Sequence, residues 1–336
     1  MASRRFATLE TIAFAVLACA LVAAPFVVSA YQVSNLMSFL AFTLLSMSLA
    51  LIWGCVGIFS FGQVAFFGIG GYAYGIIMLN VQHPEFTFPA LLAAVLIAGG
   101  AAALLGYFIF YGGVNDVFVG ITTLAVTLVI ETFMQQTAGS QWHVGQAQLG
   151  GYNGMTGIPP LALSATNTLG PVPLYVFAAV AVIATYLLLR FLLASRWGRG
   201  LRAIEQHRER TESFGYDVRL MQLGAFALAG CIAGLGGALY AIWGGYITPS
   251  TMGLSAAALP VIMVAAGGRS SLIAAMISTL LLQYFSQSLS SSGSQYALVI
   301  LGVVLVVVVV FVPDGFVVAL FRLAARIGAS SKPVKG

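Results

Sequence analysis

Apolar residues in this chain come in unbroken runs of about twenty, without the alternation of a half-buried strand, and that continuity decides most of what it can fold into. A bilayer core about 30 Å thick needs about 20 helical residues per crossing at about 1.5 Å rise each. Ten runs fit, near residues 11 to 30, 35 to 53, 62 to 80, 89 to 110, 117 to 136, 172 to 194, 220 to 241, 253 to 266, 272 to 290 and 295 to 312. The stretch from 253 to 290 is too long for one crossing and is cut at Gly267-Gly268-Arg269. The 336 residues are 60% hydrophobic and only 7% charged, with a mean hydropathy of +1.00. A soluble domain carries about 25% charged residues, and none could cover this much apolar surface. A β-barrel is excluded because its strands alternate. The expected fold is an all-α integral membrane protein of about ten transmembrane helices, with residues 1–316 as the membrane domain and 317–336 as a basic cytoplasmic tail.

Charge fixes the orientation. With Arg4 and Arg5 on the cytoplasmic side, ten crossings put residues 195–219, Arg269 and the tail there too. Those places, with Arg190 at the inner end of the sixth crossing, hold all 14 Lys and Arg residues. This is the positive-inside pattern, N-in and C-in. The net charge of +5 is therefore a topology signal, and no nucleic-acid surface is read into it. Arg4 and Arg5 followed by an apolar run ending Val28-Ser29-Ala30 resemble a secretory signal, but the run is longer than the usual 7 to 15 residues or so, which favours a crossing. Cys19, Cys55 and Cys231 lie far apart without CxxC spacing, so no disulfide or metal framework is expected.

Catalytic constellations are missing. There is no HExxH and no GxxxxGK[ST], and His83, His143 and His207 stand in three different loops. Gly68-Ile69-Gly70-Gly71-Tyr72-Ala73 matches the letters of a dinucleotide fingerprint, but membrane segments flank it where that motif needs a strand and a soluble helix. Charges at membrane depth cost several kcal/mol and mark ion paths. Here only Glu131, near the outer end of the fifth crossing, is a candidate, while Asp116 begins that helix, where a carboxylate suits the positive end. One acid makes no proton relay. Glu131 either reaches interfacial water and the outer loop or borders a pathway.

Glycines crowd the third crossing, although each costs about 1 kcal/mol relative to alanine inside a helix. Without a hydrophobic drive between helices in lipid, small residues let backbones approach. Gly71-xxx-Gly75 and Gly230-xxx-Gly234, with Gly68 and Gly70 nearby, fit a packing or hinge role. The other reading is a broken, partly re-entrant helix exposing backbone beside Ser60 and Gln63, tolerated only against protein or a water-filled cavity. Two loops are too long for connectors. Residues 137–170 lie outside, rich in glycine and free of Lys, Arg, Asp and Glu, with LGGYNGMTGIPP at 149–160. Residues 195–219 lie inside, where Arg202, Glu205, Glu209 and Glu212 at helical spacing favour a short surface helix with Leu201, Ile204, His207 and Arg208 on one side and Gly215 at its end. That helix either lies at the lipid headgroups or is a lever for a soluble partner.

SFGQVAFFGIGGYAYG, LGGYNGMTGIP, GRGLRAIEQHRERTESFGYDV, AGLGGALYA with Ile247-Thr248-Pro249, and FVPDGF together resemble the permease subunits of branched-chain amino acid ABC importers, the LivM-type branch, in the right order from about residue 35 to 316. The resemblance implies the ten-helix importer permease fold and residence in the bacterial inner membrane. It also implies a second permease subunit, sister or copy, two ABC ATPase subunits using ATP and Mg, and a periplasmic binding protein. No cofactor belongs to this chain itself, and no metal. Residue by residue, the resemblance implies that Ser60, Phe61, Gly62 and Gln63 border the translocation path, with Asn153, Gly154, Thr156 and Gly157 in the outer loop. Gly198, Arg199, Leu201, Arg202, Ala203 and Ile204, followed by Glu205, match the segment that meets the ATPase. Gly200 stands where alanine is commoner, and Arg269-Ser270-Ser271-Leu272-Ile273-Ala274 replaces the further glycines that usually follow Gly267-Gly268. The expected cargo is an aliphatic amino acid. Urea, short amides and small organic acids use similar machinery. A proton- or ion-coupled carrier is disfavoured by the missing charges, and a membrane enzyme by the missing clusters.

Overall fold

The computed structural model describes residues 2–164, 167–291, 299, 302, 303, 312 and 314–330. Helices α1 (Ala2–Val27), α2 (Ala30–Cys55), α3 (Gln63–Val81), α4 (Thr87–Tyr111) and α5 (Asp116–Gln136) precede the long outer loop. Within that loop, β1 (His143–Val144) pairs with β2 (Ala147–Gln148), and β4 (Ala162–Ser164) with β5 (Asn167–Thr168), while β3 (Met155–Thr156) waits for a distant partner. Then come α6 (Pro171–Ala194), the short α7 (Arg196–Gln206) and α8 (Arg208–Ser213), α9 (Val218–Gly244), β6 (Tyr246–Ile247), α10 (Leu254–Gly267), α11 (Leu272–Ser291) and α12 (Phe316–Ser330).

Among the described residues, eight helices are long and apolar enough to cross a membrane. They coincide with the first seven expected crossings and the ninth. The eighth, α10, has 14 residues, about 21 Å at 1.5 Å each, because β6 and the turn Pro249–Met252 take up the outer part of its path. The tenth, at 295–312, falls almost wholly outside the described residues. Local chemistry explains the starts. Ser29 and Gln32 form a reciprocal capping box on α2, Asp217 Oδ1 accepts from Leu220 N at 3.0 Å to cap α9, and Ser195 Oγ caps α7.

The centre is α2, α3 and α9, and α9 packs along α4, α3 and α2. Small residues permit this. A Cβ on Gly234 would meet the Ala98 side chain, one on Gly70 the backbone of Gly234, and one on Gly237 the carbonyl of Phe67. The glycine-rich crossing is thus a continuous helix, and the break lies before it, at 56–62. Gly68-Ile69-Gly70-Gly71-Tyr72-Ala73 sits inside α3, with no strand ahead of it.

Contacts sort the loops into two ends. At one, β3 pairs with β6 (Thr156 opposite Tyr246), Asn80 Nδ2 donates to Val144 O at 2.8 Å, and Thr87 Oγ1 donates to Ala162 O at 3.0 Å. At the other, Gly57 lies against Glu205, Gly54 against the Arg269 carbonyl, and Gly268 against Gly315. This is the division that an outer loop at 137–170 and an inner segment at 195–219 require. The inner segment is two helices rather than one, broken at His207, whose backbone is extended. Leu201 and Ile204 are buried and His207 is exposed. The expected tail begins with α12, which buries Val317 and Val318 against the inner end.

Candidate functional site

Two interruptions of helical chain face a single helix, α5. The inner one, residues 56–62, ends at Ser60-Phe61-Gly62, just ahead of Gln63 at the start of α3. Phe61 N donates to Thr123 Oγ1 at 3.1 Å, and Gly62 N to Ser60 Oγ at 3.1 Å. A Cβ on Gly62 would stand 3.2 Å from Thr123 Cβ, so the break lies tight on α5. Gln63 is fully buried. Its Oε1 is 3.2 Å from Ser48 Oγ on α2, while its Nε2 has no acceptor among the described residues. Buried polar groups are normally hydrogen-bonded, so this amide is an exception at the junction of α2 and α3.

The outer interruption, residues 245–253, lies alongside the upper part of α5. Glu131 is partly buried and accepts from Gln135 Nε2 at 3.0 Å. Its Oε1 would be 2.7 Å from a Cβ on Gly253, the residue that precedes α10. The carboxylate therefore sits at the positive end of a short helix, where a negative charge is favoured. The turn containing Asn153 packs on both α5 and the turn Pro249–Met252, and Gly154 lies against Ile247 and Thr248. Asn153 and Thr156 are exposed.

The seven residues expected along a path thus fall into two groups, Ser60 to Gln63 at the inner break and Glu131, Asn153 and Thr156 at the outer one. From Thr123 to Glu131 is about 12 Å along α5 at 1.5 Å per residue. Thr123 and Thr127, both buried, continue the same polar edge, and with Ser48 they are the members that sequence reasoning missed. Their signal was present as polar residues at four-residue spacing through 123, 127, 131 and 135 in an otherwise apolar helix.

Gly68, Gly71 and Gly75 lie on one face of α3 and receive the outer segments. A Cβ at these positions would meet Met252, Ile247, and Met155 with Ile158 respectively. Gly70 meets Gly234 on another face, and Gly230 meets Ala102 and the Ala98 carbonyl. At the inner end, α7 buries Gly198, Leu201 and Ile204 and leaves Arg199, Arg202, Ala203 and Glu205 exposed. A Cβ on Gly198 would strike the Leu193 backbone, and Arg199 Nη1 donates to Ala194 O at 3.0 Å. Glu205 touches Gly57, whose φ of +81° suits glycine. So α7 is in direct contact with the inner break.

The sequence profile of the branched-chain amino acid transport system permease component matches residues 31–309. The chain belongs to this permease family. Curated relatives include the high-affinity branched-chain amino acid transport system permease protein LivM of Escherichia coli, 25% identical over 266 residues, covering 72% of this chain and 60% of the relative. The LivM protein of Salmonella typhimurium is 23% identical over the same shares. A probable LivM of Methanocaldococcus jannaschii is 24% identical over 235 residues, 60% of this chain and 64% of that one. The chain spans less than two thirds of the length of these relatives. In this permease the family profile covers both interruptions, α5, the outer loop and α7.

Proposed function

We propose that this chain is the membrane-spanning permease subunit of an ATP-driven importer in the inner (plasma) membrane, forming half of the pathway for branched-chain or other hydrophobic amino acids. A periplasmic binding protein delivers the cargo to the glycine-rich outer loop. A second permease, sister or copy, supplies the other half, and two ABC ATPase subunits supply energy from ATP and Mg. The observation that carries this reading is the contact of α7 with the inner break through Glu205 and Gly57. A polar surface helix whose Leu201 and Ile204 are buried cannot move without moving what it packs on. Displacement of α7 by a partner therefore reaches residues 56–62 and the start of α3, while α5 ties that break to the outer one.

The test is the double variant Arg202→Ala/Glu205→Ala, reconstituted with its ATPases and binding protein. It is expected to insert and fold normally and to hydrolyse ATP without accumulating amino acid. Normal uptake per ATP in that variant would return α7 to a headgroup-lying role. Uptake by the purified chain alone would overturn the dependence on a partner motor.

A further inference from the structure

At the inner end of the bundle, α1, α2, α6, α7 and the turn into α11 leave an open cavity of about 520 Å³. Its charged lining is Glu10, Arg190, Arg202, Glu205 and Arg269, joined by the hydroxyls of Tyr186, Ser270 and Ser271. The three guanidinium groups come from three separate elements. Arg190 Nη2 donates to Thr11 Oγ1 at 2.7 Å, and the Ser271 hydroxyl donates to the Glu10 carboxylate. Among the described residues, Arg202 and Arg269 have no hydrogen-bond or ion-pair partner for their guanidinium groups. The first turn of α11 also lines the cavity, at Leu272 and Ile273, and brings the positive end of a 20-residue helix to it.

We propose that this cavity binds the phosphate of a phosphodiester, either an anionic phospholipid headgroup or a free soluble phosphate compound, between Arg202 and Arg269. A guanidinium fork matches phosphate oxygens two at a time. Basic pockets between transmembrane helices on the cytoplasmic side suit anionic headgroups. The balance of three arginines against two carboxylates leaves one positive charge, which matches the single negative charge of a phosphodiester rather than the double charge of a monoester.

The experiment uses the full chain, with native mass spectrometry from detergent and thermal unfolding in nanodiscs. The nanodiscs are phosphatidylcholine alone or mixed equally with phosphatidylglycerol, and the soluble arm adds glycerophosphoglycerol to phosphatidylcholine discs. One retained phosphatidylglycerol with a raised unfolding midpoint, weakened about tenfold or more by Arg202→Gln/Arg269→Gln, supports the lipid source. A midpoint raised by glycerophosphoglycerol and lost in the same variant supports the soluble source. Arg269→Gln alone, an exposed turn position, replaces the double variant if that one does not fold. No stoichiometric binding of either class, or binding that is indifferent to both substitutions, overturns the proposal.

Discussion

Glycine at a helix crossing is worth its intrinsic cost only where a neighbouring backbone occupies the space of a Cβ, and that condition separates the glycines of this chain sharply. Gly237 faces the carbonyl of Phe67, which is main chain and cannot swing aside, whereas Gly100 on α4 has nothing within 4 Å. Gly237→Ala is therefore expected to destabilise the protein by about 1–3 kcal/mol through overpacking. Gly100→Ala should be neutral or stabilising by up to about 1 kcal/mol, since alanine is the better helix former. Thermal unfolding in detergent checks both, and equal midpoints for the two variants would refute the close-contact account of α3 against α9. Counting glycines in the sequence cannot make this distinction, because Gly70, Gly71 and Gly75 look alike there, yet Gly70 meets α9, Gly75 receives the outer segments and Gly71 does both.

At the scale of elements, α5 acts as a strut between two breaks, and its polar edge is what grips them. Thr123→Val keeps the shape and removes the acceptor for Phe61 N, leaving a partly buried amide without its partner. Such a loss costs about 1–3 kcal/mol, or about a tenfold change in local opening per 1.4 kcal/mol. Amides of residues 57–62 should then exchange with deuterium at least several-fold faster in Thr123→Val and at the native rate in Thr123→Ser. Unchanged exchange in the valine variant would mean that the break is held by packing alone. The long helices were legible in the sequence because burial in lipid needs only a run of apolar residues, whereas the caps Ser29, Asp217 and Ser195 start α2, α9 and α7 at positions that hydropathy alone does not mark. What escaped was tertiary. The contact of Thr123 with Phe61 joins residues 62 positions apart, and β3 with β6 joins segments on either side of two long helices, so no local pattern announces them. The division of residues 196–213 into α7 and α8 also escaped, since the charge spacing that favours one helix continues unbroken through His207.

For the whole molecule, sidedness ties the charge pattern to the packing. The positive-inside argument and the contact map arrive at the same division by independent physics, one from the cost of moving Lys and Arg across a membrane, the other from which loops touch. Pairing of Thr156 with Tyr246 obliges the outer loop and the segment before α10 to share a side, and contact of Gly57 with Glu205 obliges α7 to share the other side with the end of α2. In a chain whose three cysteines are replaced, Tyr246→Cys and Thr156→Cys should both react with a membrane-impermeant thiol reagent added to intact cells. Gln206→Cys, exposed on α7, should react only after the cells are opened. A short bifunctional thiol reagent should also join the first two cysteines within one chain. Labelling of position 206 from outside would reverse the orientation while leaving the pairings intact. Labelling of 156 and 246 from opposite sides would break the pairing itself, and with it the shared side of the outer loop and the segment before α10.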